Sequence, residues 1–177
     1  AWLNAHAASL IGARVAAVEQ LDERSICLHL LHEEGVRYLM CSTLEECPTI
    51  AMLTDPKDSR IEGTHEGNFA KALRFHIQGY QLMSVVQPGF ERSVSFTFSQ
   101  RDAYGRITAK ILTVELAGRA SNAFLLTSQR MVVSIFKRVR HGHFDHILRR
   151  RRVAAQHRAG RLQCLQHLQR LRVQRLP

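Results

Sequence analysis

No apolar run in this sequence comes near the ~18 residues that a membrane-spanning helix needs, and no secretory signal opens it. These residues therefore supply no helical membrane span. The chain begins Ala1-Trp2-Leu3 without a Met, which is consistent with residues preceding Ala1 in the natural product. Cysteine is scarce as well. Cys27, Cys41, Cys47 and Cys164 include no CxxC pair, and no disulfide scaffold is suggested. Three of them lie in or beside apolar runs, where a thiol behaves as a small hydrophobe, and a reduced, cytoplasmic protein with inert thiols is expected. There is no P-loop, no GxGxxG and no GxSxG, so neither a phosphate-cradling loop nor a nucleophile elbow is present. The paired acids Glu33-Glu34 and Glu45-Glu46 fall in turns and read as solvated charges.

Acidic residues are missing from one region in particular. The formal net charge is +10 over 177 residues. Residues 137–177 hold 12 Lys+Arg and a single acid, Asp145, which gives 12 − 1 = +11. The remaining 136 residues hold 13 basic and 14 acidic side chains, a balance of −1. Composition therefore does not make the body a nucleic-acid binder, because the tail carries the whole excess. Three readings of residues 140–177 stay open: a basic amphipathic helix with Leu162, Leu165, Leu168 and Leu171 at every third position, a disordered tail, or translation in a shifted frame.

The body is long enough for one domain with a real core. Residues 3–11 read as a short helix closed by Gly12. Strands are expected at 13–19, 25–31 and 36–41, the last two as a hairpin around Glu33-Glu34-Gly35. Residues 42–67 read as a long surface connection anchored by Ile50 to Leu53. Asn68 to Ile77 reads as a helix capped by Asn68 and ended by Gly79, with Phe69, Ala72, Leu73 and His76 on one face. Further strands are expected at 82–87, 92–98, 107–116, 123–127 and 131–136, with Val94, Phe96 and Phe98 inward and a hairpin turn at Asp102 to Gly105. The class is α+β with mostly antiparallel pairing.

Two patterns carry chemistry. His141-Gly142-His143-Phe144-Asp145-His146 matches HxHxDH, the first metal motif of metallo-β-lactamase-like hydrolases, and would make a zinc-dependent hydrolase the alternative reading. That family places the motif early and takes further carboxylate and His ligands downstream. Here only 31 residues follow His146, with no further carboxylate. The second pattern is Glu115, Arg119 and Asn122 around Gly118, at the end of a long apolar strand. Arg119 and Asn122 could present donors at the sheet edge, or Glu115 could pair with Arg119 while Asn122 caps a turn.

The stretch VELAGRASNAFLL, residues 114–126, resembles the signature of the NFACT N-terminal domain, matching it at Glu115, Gly118, Arg119, Ser121 and Asn122. Leu73 to Gly79 resembles that family's Leu-Arg-Lys-His-Leu helix, with Phe75 and Gln78 departing from the usual Lys and acid. Gln87 to Arg92 resembles its Gly-Leu-Asp-Arg turn, with the acid–Arg pair kept as Glu91-Arg92. Gly12 to Val15 resembles its Gly-Gly-Arg-Ile, and Phe136 to Val139 its closing strand. The resemblance covers residues 10–139 in order and departs at about residue 140, which sets the expected boundary between a domain at 1–139 and a tail at 140–177.

The resemblance implies a β-sandwich-like body with flanking helices, similar to the N-terminal domain of formamidopyrimidine-type DNA glycosylases but without their catalysis. It implies a module of a ribosome-associated quality-control factor, a family whose full-length members bind an obstructed large ribosomal subunit and recruit tRNA that templates C-terminal tails. Some bacterial members carry the label of fibronectin- or fibrinogen-binding protein, so an adhesion protein is a further alternative. The expected partners are tRNA and the large ribosomal subunit, with no membrane, no small-molecule substrate, no metal and no cofactor. The expected RNA-contacting residues are Glu91, Arg92, Arg119 and Asn122, with Arg74.

Overall fold

The computed structural model describes residues 7–59, 66–87 and 91–137. The chain divides into a first compact unit, Ala1–Lys137, and a second, Arg138–Pro177, which lies outside the described residues together with the 140–177 tail and the 141–146 histidine cluster. The first unit is a mostly antiparallel β-sheet with few helices.

Among the described residues nine strands form it: β1 (Arg14–Asp22), β2 (Ser25–His32), β3 (Gly35–Ser42), β4 (Thr49–Leu53), β5 (Gln81–Val86), β6 (Ser93–Arg101), β7 (Ile107–Glu115), β8 (Asn122–Thr127) and β9 (Val132–Ile135). One helix, α1 (Asn68–Ile77), lies between β4 and β5 in the chain. Their order in the sheet is β4-β3-β2-β1-β5-β6-β7-β8-β9. Each strand hairpins onto the next except where the chain leaves β4 and returns as β5 beside β1. That seam has one paired position, Arg14 with Gln81. Neighbouring hydrogen bonds reinforce it: the Gly12 N–H donates to the Leu82 carbonyl and the Leu82 N–H to the Ala13 carbonyl, both at 2.8 Å.

The sheet curls until its ends approach. Strands lie ~4.8 Å apart, so β3 and β9, seven places apart, would be about 34 Å apart in a flat sheet. Yet Lys137, just after β9, bonds Glu45, just after β3, at 2.9 Å. The helix fills the fold: α1 packs on both β1 and β9, with Phe69 stacked on Phe136 at 4.9 Å between ring centroids. Its buried residues are Phe69, Ala70, Leu73 and Ile77, a stripe at helical spacing. Ala72 and His76, expected on that face, sit at its half-buried margin.

The strand periodicity explains most of the core. Val94, Phe96 and Phe98 of β6 face inward opposite Val114, Leu112 and Lys110 of β7. Fully burying a large side chain such as Phe96 stabilises by ~1.5–3 kcal/mol. Strict alternation fails in β2, where Ser25 and Cys27 are buried along with Ile26, Leu28 and Leu30. A central strand is covered on both faces, and Ser25 meets its polar need by donating to the Ser42 hydroxyl at 2.9 Å.

Three expectations are corrected. Residues 49–53 are not a loop anchor but β4, paired with β3 from Tyr38–Leu53 to Ser42–Thr49. Asn68 does not cap α1: Gly67 holds the cap position with no side-chain cap bond, and the Gly67 N–H donates to Oε1 of Gln20 at 2.7 Å. Cys47 is exposed, whereas Cys27 and Cys41 are buried. At the start of the chain the described helical turn spans residues 7–10 and is closed by Gly12 at φ +94°, and residues 3–6 of the expected helix lie outside the described residues.

Candidate functional site

One end of the β6–β7–β8 stretch collects four of the five expected residues. Ser93, Glu115 and Asn122 stand in one register line across the three strands. Arg92 sits one residue outside that line, and its carbonyl accepts from the Leu116 N–H at 2.7 Å. The backbone on which both Arg92 and the turn after β7 rest is therefore fixed, while the Arg92 side chain is exposed. Glu91 is exposed too, with its carboxylate accepting from the Ser93 hydroxyl at 3.3 Å and its carbonyl from the Gln87 amide at 2.9 Å.

Between β7 and β8 the chain makes a single 3-10 turn, Gly118–Ala120. Gly118 enters it at φ +57°, in the left-handed region where a side chain would add strain. The Ser121 N–H donates back to the Gly118 carbonyl at 2.9 Å and closes the turn. Arg119 is thrown outward at its apex and is exposed. Ser121, directly behind, is buried, and its hydroxyl has no partner among the described residues.

Asn122 has a different situation. It is 2% exposed, and both its amide oxygen and its amide nitrogen are engaged. Oδ1 accepts from the Lys137 N–H at 2.8 Å and from the Ala123 N–H at 2.9 Å, and Nδ2 donates to the Lys137 carbonyl at 2.8 Å. The side chain pins the chain after β9 to the start of β8 and so supports the turn from beneath. Lys137 continues the link: its ammonium donates to the Arg119 carbonyl at 3.1 Å and to Glu45 at 2.9 Å. That hydrogen bond and the Lys137 charge, with Arg24 and Arg119 adding to them, hold the Glu45 carboxyl below its ordinary value. Glu45 and Lys137 thus join the site although sequence reasoning gave neither a role there. They lie 92 residues apart, and nothing in the local pattern signals the pairing.

Arg74 stands elsewhere. It donates to the Val18 carbonyl at 3.0 Å and ion-pairs with Glu66, on the α1–β1 side, and no described contact joins it to Arg92 or Arg119.

Among the described residues, the other chemistry-bearing groups are the buried cysteines and a His–Glu pair. Burial, with the nearby Glu19 charge, pushes the Cys27 thiol up to about 12, and burial pushes Cys41 up as well, so both stay protonated and poorly nucleophilic. His29 and Glu19 share a side-chain hydrogen bond at 3.2 Å, with Tyr38 edge-on to the imidazole. Among the described residues no group of three or more His, Cys, Asp or Glu could hold a metal ion. No helix among them is long and apolar enough to cross a membrane.

Comparison with known proteins gives the fold a family. Rqc2 homolog RqcH of Bacillus subtilis (strain 168) is 23% identical over 124 residues, 70% of this chain and 21% of that protein. The N-terminal domain of the fibronectin-binding protein PavA from Streptococcus pneumoniae superposes with a TM-score of 0.71 at 20% identity, covering 81% of this chain and 53% of that one. The N-terminal part of the fibronectin/fibrinogen-binding protein of Streptococcus suis superposes with a TM-score of 0.69 at 22% identity, covering 80% and 51%. The chain thus spans about a fifth of the first relative and about half of each solved one. The family model described as the NFACT N-terminal and middle domains matches residues 3–154, past the described body, and the chain belongs to the NFACT family.

Proposed function

We propose that this domain is a non-catalytic module of a ribosome-associated quality-control factor, and that it contacts tRNA bound to the large ribosomal subunit while a stalled nascent chain receives its C-terminal tail. The observation that carries the reading is the pair of exposed guanidiniums, Arg92 and Arg119, on braced backbone at one end of the sheet. An exposed Arg on a fixed backbone suits a phosphate oxygen, because its planar fork loses little freedom when it binds. Asn122 acts in this reading by holding the turn, Glu91 by flanking Arg92, and Arg74 as an outlying cation beside β1. No cofactor takes part, and the location is cytoplasmic. The curled sheet supports the sandwich-like architecture implied by the likeness to formamidopyrimidine-type glycosylases.

The test is tRNA binding by the full chain across a salt series. Arg92→Ala and Arg119→Ala should each weaken binding and flatten the salt slope by about one unit per lost phosphate contact. Unchanged affinity and slope in both variants would sink the assignment. The adhesion alternative is supported by the names of the two streptococcal relatives, and fibronectin binding that survives both substitutions would favour it. The zinc-hydrolase alternative rests on His141, His143, Asp145 and His146, outside the described residues. Stoichiometric zinc that disappears in His143→Ala would revive it.

A further inference from the structure

The opposite end of the same strands carries a second set of cations. β6 and β7 pair out to Arg101 and Ile107, and Lys110 of β7 pairs with Thr127, the last residue of β8. The β6–β7 turn and the β8–β9 turn therefore close one end of the sheet, away from Arg119. Residues 99–110 and 127–131 hold Arg101, Arg106, Lys110 and Arg130 against a single acid, Asp102. Asp102 is occupied by its own turn. Its Oδ1 accepts from the Tyr104 and Arg106 N–H groups, each at 2.9 Å, and its Oδ2 from Nε of Arg106 at 2.8 Å.

Two side chains at this end do more than the turns require. The Tyr104 ring is 86% exposed, with the Arg106 guanidinium 5.5 Å from its centroid and the rest of the ring open to solvent. Arg130 has φ 64°, the left-handed region, and is the single non-glycine to do so among the described residues. A glycine there would close the same turn without strain, so the chain keeps a cation where the backbone disfavours one. Ile107 and Met131, which follow Arg106 and Arg130 in the chain, are both exposed.

We propose that this end is a second RNA contact, in which Tyr104 stacks on an unpaired base and Arg101, Arg106 and Arg130 meet the flanking phosphates. A π face beside a cation, with further cations at the same end of the sheet, is an arrangement that grips a single strand without reading its sequence. An acidic peptide would satisfy the cations but leave the ring without a stacking partner. The choice of RNA over DNA rests on the function proposed above; the contact itself does not.

The full chain is to be irradiated with a short oligouridylate carrying one 5-iodouridine, and the crosslinked peptides identified by mass spectrometry. Trypsin cuts after Arg101 and Arg106, so peptide Asp102–Arg106 reports on Tyr104. The expected result is a crosslink in that peptide whose yield drops about three- to fivefold in Arg130→Gly, a substitution that removes one phosphate contact while relieving the turn. The melting temperature of Arg130→Gly should hold or rise, which separates a lost contact from a damaged fold. Crosslinks confined to residues 138–177 or to the Arg119 turn overturn the proposal, as does an unchanged yield in Arg130→Gly. Polyglutamate that competes as well as unlabelled oligouridylate also overturns it, in favour of an acidic protein partner. Arg92→Ala and Arg119→Ala should leave the Tyr104 crosslink intact, so failure of the tRNA assignment leaves this result readable.

Discussion

The side-chain amide of Asn122 grips the backbone of Lys137 at both its N–H and its carbonyl, each at 2.8 Å. It acts as a borrowed peptide group, extending the β8–β9 pairing beyond Ile135 where the strand itself stops. Because the site is buried, losing the amide leaves polar backbone groups without partners. Asn122→Ala should cost ~2–4 kcal/mol, read as a lower midpoint in urea unfolding with an unchanged slope. A loss below ~0.5 kcal/mol would mean that water replaces the amide, and that Asn122 does not hold the turn.

Arg119 should behave in the opposite way. Its carbonyl, not its guanidinium, is what Lys137 binds. Arg119→Ala should therefore change stability by no more than ~0.5 kcal/mol, as surface substitutions do. Gly118→Ala should cost ~1 kcal/mol, because a Cβ at φ +57° is strained even though the space around it is open. If tRNA affinity falls in both variants while only Gly118→Ala loses stability, the turn serves to aim the Arg119 side chain.

The ion pair between Glu45 and Lys137 makes part of the stability pH-dependent. Glu45 titrates below its ordinary 4.5 in the folded protein, chiefly because the Lys137 ammonium donates to it. A carboxyl with a depressed folded pKa stabilises above its unfolded value, and the contribution fades as pH falls through the folded one. Glu45→Gln should therefore lower stability modestly at neutrality, converge with the parent protein once Glu45 is protonated, and so flatten the acid limb that begins below about pH 5. Its effect should shrink in high salt, since the pair is partly exposed. An acid limb identical to that of the parent protein would show that Glu45 is not held this way.

The parts legible in the sequence share one property: their signals are local. The helix Asn68–Ile77 follows from apolar spacing and from Gly79, which takes φ +85° just beyond it. The alternation of Val94, Phe96 and Phe98 settles β6. β4 escaped because five residues flanked by Pro48 and Pro56 become a strand only through pairing with β3. The cap of α1 escaped for the same reason, since Gln20 reaches Gly67 across 47 residues. At the site, the GRASN stretch marks the turn, but whether Asn122 faces solvent or backbone depends on where residue 137 returns. No property of residues 114–126 encodes that return, so the sequence leaves open both a donor at the sheet edge and a turn cap, and the structure has Asn122 holding the turn from below.

The cysteines offer a check on the core that needs no ligand. Cys27 and Cys41 lie on adjacent strands, fully buried, and Cys27 is held protonated up to about 12 by burial and by the negative charge of Glu19. Alkylation requires a thiolate that can be reached, so both should resist iodoacetamide at neutral pH until the domain opens. Cys47, exposed between β3 and β4, should react within minutes, faster than the buried pair by several orders of magnitude. Peptide mass spectrometry over a time course separates the three sites. Adding urea below the unfolding midpoint should bring Cys27 and Cys41 up together, because β2 and β3 pair along their whole length from Ser25–Ser42 to His32–Gly35. Labelling of Cys41 well before Cys27 would show instead that the β3–β4 edge opens separately, and that the Lys137–Glu45 link beside it does not hold that edge to the rest of the sheet.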